Sequence, residues 1–284
     1  MDYSISLCFE NLKFKLSTIY DNREADNISR IIFEDVFSIL NPQSSSTFFD
    51  SKNQKLLNYI IDELIQHKPW QYIVGKADFY GLKFNVDKSV LIPRPETEEL
   101  VNVIIDRHKG QTLDILDIGT GSGCIAVCLD YYLKNVNVTG VDICSDALKV
   151  AHKNAKEHST LTQFKQINIL DFKSTKKMPI YDIIVSNPPY IKFEERQSMA
   201  KHVINFEPEL ALFVNDNDPL LYYRTIIDFA LNHLNQDNGW LYFETSTFYA
   251  TQVLNLIKDK GFVNCLLLKD MNGNNRIVLG SIKI

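Results

Sequence analysis

Residues Leu113–Gly123 read Leu-Asp-Ile-Leu-Asp-Ile-Gly-Thr-Gly-Ser-Gly, and this stretch decides the fold. Four of its first six residues are apolar and predict a strand, and its glycines predict a tight turn that lets the backbone approach a ligand. The apolar residues Cys124–Val127 then predict the start of a helix, whose first N–H groups have no partner within the helix. Strand, glycine loop and helix in this order are typical of an open parallel sheet that binds a ligand at its edge. The spacing Gly-x-Gly-x-Gly differs from the dinucleotide Gly-x-Gly-x-x-Gly, and either spacing alone is a weak signal.

Apolar runs alternate with amphipathic segments from about residue 96 to the end of the chain. This alternation predicts a mainly parallel sheet with helices on both faces, which is the α/β class. Ligands of such sheets bind beyond the carboxyl ends of the strands, where the strand order reverses. We predict strands near residues 113–118, 136–142, 164–169, 181–186, 239–244, 262–269 and 276–282.

Polar residues stand directly after several of these strands. Asp142 ends the second strand, where an acidic side chain of a doubly wound fold accepts hydrogen bonds from the hydroxyls of a ribose. It could instead cap the helix that begins near Ser145. Asp171 and Asn187 follow later strands, so these side chains and the glycine loop are expected at one edge of the sheet. Their convergence predicts a site for an adenosine-containing cofactor.

The strand near residues 181–186 ends in Asn187-Pro188-Pro189-Tyr190. Each proline locks φ, and the residue before a proline is restricted to extended geometry, so the tetrapeptide is rigid. The Asn187 side chain offers a carbonyl oxygen, nearby backbone carbonyls need partners, and Tyr190 adds an aromatic face. These groups suit an NH2 group on an sp2 carbon. The alternative is a proline-terminated turn without a ligand, because Asn-Pro pairs are common in loops.

The composition is that of an ordinary globular protein of 284 residues, with 45% hydrophobic and 23% charged residues. No apolar stretch is long enough to span a bilayer, and the first residues lack the pattern of a secretory signal, so we expect no membrane contact and a cytoplasmic location. The net charge of −5 disfavours a protein that grips duplex nucleic acid through its phosphates. Together with a two-domain length, this charge favours a monomer.

The five cysteines are scattered and form no Cys-x2-Cys pair, which indicates a reducing compartment and predicts no metal site. Cys124 and Cys128 lie one helical turn apart without further ligands and are expected to be small core residues. The histidines are equally dispersed, so a Ser/His/Asp or Cys/His site cannot be argued from the sequence.

The first 66 or so residues carry apolar positions at helical spacing and predict a small helical domain. After Pro69 the period changes to near alternation across Phe79–Val86, and a second short run, Ser89–Ile92, follows. This pattern predicts a β-hairpin linker that ends at Pro93-Arg94-Pro95. We therefore expect a helical domain over residues 1–75, a hairpin linker over residues 76–95 and a sheet domain over residues 96–284.

With these motifs in order, the chain resembles Rossmann-like class I methyltransferases, which use S-adenosylmethionine and modify planar amino nitrogens. Further segments are similar to the HemK/PrmC family, which methylates the glutamine of peptide chain release factors. The similarity covers nearly the whole chain and is weakest over the first 65 or so residues. The segments that carry it are Gln71–Gly75, Leu91–Glu98, Asn187–Tyr190, Phe206–Pro208 and Gly273–Arg276.

The resemblance implies which residues bind the cofactor. Relatives commonly carry Trp where this chain has Phe172, Gly where it has Ser246 and Asp where it has Asn275, so local contacts at these positions are expected to differ. The cofactor-binding residues are expected to be Gly119, Thr120, Gly121, Ser122 and Gly123 for the methionine part, Asp142 for the ribose, Asp171 and Phe172 beside the adenine, and Asn187.

The resemblance also implies a substrate site. We expect the Asn187 side-chain carbonyl and the Pro188 backbone carbonyl each to accept one N–H of the substrate glutamine while Tyr190 packs on its amide plane. The helical domain is expected to hold the release factor. Arg94 and Glu96 are expected either to close over the pocket or to form a linker salt bridge. The full set of substrate residues is Asn187, Pro188, Pro189, Tyr190, Arg94 and Glu96, of which Asn187, Pro188 and Tyr190 are expected to act in catalysis.

Three alternatives remain open from the sequence. An adenine-N6 methyltransferase acting on DNA or RNA needs the same kind of site, because adenine also presents a flat NH2 group. A glutamine of a ribosomal protein could be the substrate instead. A protein that binds a cofactor such as NAD without methyl transfer is disfavoured, because no hydride-transfer His or Lys accompanies the glycine loop.

Overall fold

The computed structural model describes residues 3–283, and the chain divides into two compact units. The first comprises the residues up to Lys76 together with Ala200–Phe206, and the second comprises Ala77–Met199 and the residues from Glu207 onward. The predicted hairpin linker falls mostly in the second unit, and the predicted domain boundaries stay predictions. Along the described residues, every helix is too short or too polar to cross a bilayer.

The helices and strands are numbered along the chain. The helices are α1 (Ile5–Leu16), α2 (Asn22–Phe37), α3 (Ser51–Ile65), α4 (Trp70–Val74), α5 (Pro95–His108), α6 (Cys124–Tyr132), α7 (Ser145–Glu157), α8 (Phe172–Thr175), α9 (Lys201–Phe206), α10 (Glu209–Leu212), α11 (Leu221–His233) and α12 (Ala250–Asp259). The strands are β1 (Tyr3–Ser4), β2 (Phe48–Phe49), β3 (Lys76–Phe79), β4 (Leu82–Asn85), β5 (Leu113–Ile118), β6 (Val136–Asp142), β7 (Gln163–Gln166), β8 (Ile183–Ser186), β9 (Ile191–Lys192), β10 (Phe213–Val214), β11 (Trp240–Glu244), β12 (Val263–Lys269) and β13 (Asn275–Ser281). Short 3-10 helices span Pro42–Ser44 and Phe193–Ser198.

The first unit is built on helices α1, α2 and α3, whose apolar positions recur every three or four residues as the sequence indicated. Acidic side chains start two of them: Asp21 accepts from the first N–H groups of α2, and Asp50 accepts from Asn53 N at 2.7 Å in α3. The apolar faces meet in one core, where each fully buried large side chain contributes about 1.5–3 kcal/mol. Its members include Phe9, Leu12, Leu16, Ile32, Phe33, Leu57, Ile61 and Leu64.

The second unit contains a seven-stranded sheet in the order β12-β13-β11-β8-β5-β6-β7. Five neighbouring strands run parallel to one another, namely β11, β8, β5, β6 and β7. Strand β13 pairs antiparallel with both β11 and β12. The middle strands β5 and β8 are almost entirely buried, which explains why most of their residues are apolar. The predicted α/β class with a mainly parallel sheet is therefore confirmed.

The strand order reverses between β5 and β8. From β5 the chain proceeds outward through β6 to β7 and then returns to place β8 on the other side of β5. The loops that leave β5 and β8 are consequently neighbours at the carboxyl edge of the sheet, which is where ligands of such folds bind.

The hairpin lies earlier in the chain than its apolar pattern suggested. Its strands are β3 and β4, and residues 89–92, predicted as a strand, form none. The reason is the turn at Tyr80-Gly81, where both residues have positive φ values of 48° and 75°. Two central residues with positive φ suit the right-handed twist of a two-residue hairpin, so the chain reverses inside the run Phe79–Val86.

Candidate active site

The register of the sheet aligns four residues in one row at its carboxyl edge. Ile118 of β5 pairs with Val141 of β6 and with Ser186 of β8, and Ser186 pairs with Phe243 of β11. The residues that follow these pairs are therefore neighbours across the sheet. They are Asp142, Gly119, Asn187 and Glu244.

The glycine loop leaves open space above this row. Gly119 and Gly121 have φ values of 74° and 53°, and a Cβ atom built on either residue would meet no atom within 4 Å. Backbone conformation, not crowding, thus requires glycine at both positions. Gly123 has a positive φ of 80° as well, and crowding adds a second reason there, since its Cβ would approach Ala151 Cβ at 3.1 Å, where α6 and α7 pack closely.

Asp142 accepts hydrogen bonds through both carboxylate oxygens. Gly121 N donates to Oδ2 and Cys144 N donates to Oδ1, each at 2.9 Å. Burial raises the pKa of Asp142, while these N–H groups act in the opposite direction. The side chain ties the glycine loop to the end of β6, and each of its oxygens keeps a second lone pair for a ligand.

Asp117, the fifth residue of β5, is fully buried beneath the loop. Its Oδ2 accepts from the Thr120 hydroxyl at 2.6 Å, whereas its Oδ1 has no hydrogen-bond partner among the described residues. Burial raises the pKa of Asp117 to about 7. A buried oxygen without a partner is costly, so this position suits a ligand that brings a cationic or N–H group.

A cavity of about 630 Å³ lies over the row and joins the glycine loop to the proline bend. Six of the predicted site residues line it: Gly119, Gly121, Asp142, Asn187, Pro188 and Pro189. The structure adds lining residues that sequence reasoning missed, including Val90, Ile143, Cys144, Asn168, Leu170 and Tyr222. Their local sequence did not mark them, because they lie in loops and in α11, which only the fold brings to the cavity.

Asp171 and Phe172 do not line this cavity. Asp171 caps α8, where its Oδ1 accepts from Lys173 N at 3.0 Å. Phe172 is 72% exposed and borders a neighbouring cavity of about 510 Å³, which shares Ile169 and Leu170 with the first. Their expected place beside an adenine stays a prediction.

The proline bend is held by neighbouring strands and by α5. The Ser186 hydroxyl donates to Ile118 O at 2.7 Å, which fixes the end of β8 against the end of β5. Asn187 Nδ2 donates to the Thr97 hydroxyl oxygen at 3.3 Å, so the carbonyl oxygen of the same amide points away from Thr97. Tyr190 is half-buried behind the bend, and burial raises the pKa of its hydroxyl to about 12.

Arg94 takes part in an ion pair rather than standing free over the cavity. Its Nη2 lies 2.5 Å from Glu207 Oε1, and the Glu207 side chain is completely buried. The second Glu207 oxygen accepts from Ile92 N at 3.3 Å. Of the two readings of Arg94, the structure shows the salt bridge, whose acidic partner sequence reasoning did not identify. A direct role of Arg94 or Glu96 on a substrate stays a prediction.

Two buried residues beside Asn187 were also missed. Thr97 and Glu244 are 3% and 2% exposed, and the Thr97 hydroxyl donates to Glu244 Oε2 at 2.6 Å. Burial raises the pKa of Glu244 to about 7. Across residues 3–283, no cluster of three or more His, Cys, Asp or Glu side chains is arranged to hold a metal ion.

The glycine loop, the Asp142 carboxylate and the amide-bearing proline bend border one cavity, an arrangement that suits a cofactor and a flat amino group. The family model for the methyltransferase small domain matches residues 96–209. A release factor glutamine methyltransferase of Flavobacterium psychrophilum is 41% identical over 271 residues, covering 93% of this chain and 94% of that protein. This chain belongs to the release factor glutamine methyltransferase family. A member from Lactococcus lactis is 44% identical over 226 residues, covering 79% of this chain and 81% of its own.

Solved structures agree on the fold of this family member. The hMettl16 catalytic domain, in complex with a MAT2A 3′UTR hairpin, has a TM-score of 0.58 at 17% identity, covering 72% of this chain and 77% of that one. At this identity the likeness concerns the fold alone. The predictions of a class I methyltransferase fold, of methyltransferase activity and of S-adenosylmethionine as the methyl donor are confirmed.

Proposed function

We propose that this chain transfers the methyl group of S-adenosylmethionine to the side-chain amide nitrogen, N5, of the glutamine in the Gly-Gly-Gln motif of class 1 peptide chain release factors. Its relatives are named for release factor glutamine methylation. One observation in the molecule carries the proposal: Asn187, Pro188 and Pro189 line the same cavity as Gly119 and Asp142. A bend suited to a carboxamide therefore borders the space above the glycine loop.

The residues around the glycine loop fit the cofactor. When bound, S-adenosylmethionine supplies an electrophilic methyl group on a positively charged sulfur. Gly119 and Gly121 leave room for its methionine part, and the unpartnered oxygen of Asp117 suits an ammonium group. Asp142 offers its remaining lone pairs to the ribose hydroxyls, and the apolar side chain of Leu170 provides a surface for the adenine.

The proline bend would activate the substrate by holding its amide group. An amide nitrogen is a poor nucleophile, because its lone pair is delocalised into the carbonyl; the same resonance gives the peptide bond its rotation barrier of about 18–20 kcal/mol. In our proposal, Asn187 Oδ1 and Pro188 O each accept one N–H of the glutamine, and Tyr190 packs on the amide plane. These contacts localise the lone pair and orient it, which can remove several kcal/mol from the barrier. Water then receives the proton that the methylated nitrogen releases.

The helical unit supplies recognition of the release factor in this proposal. Its helix α1 exposes Leu7 and Phe14, which are 69% and 71% exposed and lie two turns apart on one face. Phe48 of β2 is 58% exposed as well. We assign contact with the release factor to these exposed apolar side chains. The expected monomeric state and cytoplasmic location stay predictions.

The experiment measures transfer of a tritiated methyl group from S-adenosylmethionine to a purified release factor. The matched substrate control is the same factor with Gly-Gly-Glu in place of Gly-Gly-Gln, and ribosomal protein and nucleic acid are offered in parallel. We expect label in the Gly-Gly-Gln factor alone. Label in nucleic acid or in ribosomal protein, with none in the factor, would refute the proposed substrate.

The role of the proline bend is tested with Asn187→Ala. We expect this variant to lose at least about 100-fold in kcat, because the lost contact orients the reacting nitrogen, while its Kd for S-adenosylmethionine stays within about threefold. Asn217→Ala, at an exposed position, is the control and should keep wild-type turnover. Normal turnover of Asn187→Ala would remove Asn187 from the mechanism.

A further inference from the structure

A hydrogen-bonded chain of three side chains joins Asn187 of the proline bend to the buried residues Thr97 and Glu244. The Glu244 carboxylate accepts from the Thr97 hydroxyl at 2.6 Å, and the Thr97 oxygen accepts from Asn187 Nδ2 at 3.3 Å. Glu244 is anchored in turn, because the Tyr223 hydroxyl donates to its backbone carbonyl at 3.1 Å. Thr97 lies in the first turn of α5 and Glu244 ends β11, so two separate elements meet at Asn187.

The number of protons in this chain decides which way the Asn187 amide faces. A hydroxyl has a single proton, and Thr97 gives its proton to Glu244. The Thr97 oxygen therefore presents only lone pairs to Asn187, and the atom nearest to it must be the donor, Nδ2. An amide turned by 180° would set Oδ1 against those lone pairs, without a proton between the two oxygens. The network thus selects the orientation in which Oδ1 is directed away from Thr97.

We propose that Thr97 and Glu244 are positioning residues that orient the Asn187 amide, so that its carbonyl oxygen is the atom offered to the substrate N–H group. The inference deepens the proposed function and rests on it, because it explains how a side chain with both a donor and an acceptor presents only the acceptor. Neither residue touches the substrate in this arrangement. Both act through Asn187.

The charge of Glu244 is needed for this orientation of the Asn187 amide. Burial raises the pKa of Glu244 to about 7, whereas the Thr97 hydroxyl, the charge of Arg276 and the Asn187 amide stabilise its ionised form. Once protonated, Glu244 can donate to Thr97, and Thr97 can then turn its own proton towards Asn187. Both amide orientations are then hydrogen-bonded, and the selection is lost. Turnover is therefore expected to fall as the pH drops through about 7.

Other charged and titratable groups surround Glu244. Burial raises the pKa values of the Tyr190 and Tyr223 hydroxyls and of the Cys124 thiol, so these groups stay protonated near neutral pH. The pKa of Arg276 is also raised, so its side chain stays charged. Asp117 also titrates near pH 7, so its effect is separated by measuring kcat at saturating cofactor. The surrounding groups are Glu96 of α5, Cys124 of α6, Tyr190 after β8, Tyr223 of α11 and Arg276 of β13.

The first test removes the Thr97 hydroxyl. We expect Thr97→Val to lower kcat by at least about 30-fold, since loss of orientation at a reacting group is costly, with the Kd for S-adenosylmethionine within about threefold of the wild type. Thr97→Ser keeps the hydroxyl and should restore kcat to within about fivefold of the wild type. The matched control is Thr162→Val, because Thr162 is also buried and donates to a carboxylate, Asp130, at 2.7 Å, away from the cavity. It should leave kcat unchanged.

The second test removes the titration. Glu244→Gln cannot ionise and, like the protonated carboxyl, has a group that can donate to Thr97, so at about pH 8.5 it should already show the lowered turnover that the wild type reaches below pH 7, with no further decline near pH 7. A wild-type pH profile in Glu244→Gln, or undiminished kcat in Thr97→Val, would overturn the inference. If Thr97→Val fails to fold, as judged by circular dichroism, the Glu244→Gln profile decides. The proposed function itself fails only if the wild-type chain leaves the release factor glutamine unlabelled.

Discussion

The Asn154 side chain joins three elements of the second unit, and a single atom exchange tests its contribution. Asn154 is fully buried on α7. Its Oδ1 accepts from Asn85 N at 2.7 Å and from Asn85 Nδ2 at 2.8 Å. Its Nδ2 donates to Asn85 O at 3.0 Å and to Ser122 O at 2.8 Å. One amide therefore connects α7 with the hairpin strand β4 and with the glycine loop.

Asn154→Asp keeps the shape of the side chain and replaces the NH2 group with an oxygen. The hydrogen bonds to Asn85 O and Ser122 O are lost, and both carbonyls are left buried opposite another acceptor, at about 1–3 kcal/mol each. An ionised carboxylate in this place adds a desolvation cost. The free energy of unfolding should therefore fall by about 4 kcal/mol at pH 8, and cofactor affinity should fall because Ser122 belongs to the glycine loop.

The assay is urea unfolding, followed by tryptophan fluorescence and circular dichroism, together with titration of S-adenosylmethionine. The control is Asn137→Asp, in which an exposed Asn loses one hydrogen bond, from Nδ2 to Asp114 Oδ1 at 2.9 Å, and should cost about 1 kcal/mol or less. A loss below about 1 kcal/mol for Asn154→Asp would show that the buried donor does not matter and would refute the reasoning.

Three further predictions concern buried groups of the second unit. Gly140→Ala should cost about 1–3 kcal/mol in urea unfolding, because its methyl group would lie 2.7 Å from the Phe164 ring; wild-type stability would contradict the crowding. The pKa of Asp117 is raised, so ionisation of this side chain disfavours the folded state. The free energy of unfolding of the wild type, relative to that of Asp117→Asn, should therefore fall by about 2 kcal/mol between about pH 5.5 and pH 8. A difference between the two proteins that does not change with pH would exclude this titration. Arg94→Met should lower stability by about 3 kcal/mol in thermal unfolding, because it leaves the Glu207 charge buried and unpaired. The double variant Arg94→Met with Glu207→Gln should recover most of this loss. Equal losses in the single and the double variant would contradict the prediction.

Local patterns predicted the elements of the second unit that border the cavity. The run Leu113–Ile118 is buried almost throughout as β5, and the glycines after it adopt positive φ, as a tight loop requires. The row of Asp142, Gly119 and Asn187 followed from one rule, that parallel strands end at the same edge, and the observed register places them side by side. Such inferences succeed because they depend on backbone geometry over a few consecutive residues.

The hairpin shows where local patterning misleads. Alternating apolar residues across Phe79–Val86 look like one strand, yet the chain turns at Tyr80-Gly81. Tyr80 adopts positive φ, which its residue type does not favour, and its hydroxyl donates to Asn102 Oδ1 at 2.8 Å in α5. That bond to a distant helix helps to hold the turn, and no window of neighbouring residues contains it.

The sequence by itself determined the class of the sheet, the position of the glycine loop and the position of the proline bend, because each depends on residues adjacent in the chain. Only the tertiary structure decided that Arg94 pairs with Glu207 and that Thr97 lies between Asn187 and Glu244. The Thr97 and Glu244 side chains are 147 positions apart in the chain, and the Arg94 and Glu207 side chains are 113 apart. The physical reason is that a buried charge takes the partner that the packed fold places within hydrogen-bond reach, and that choice is made by the arrangement of strands and helices in space.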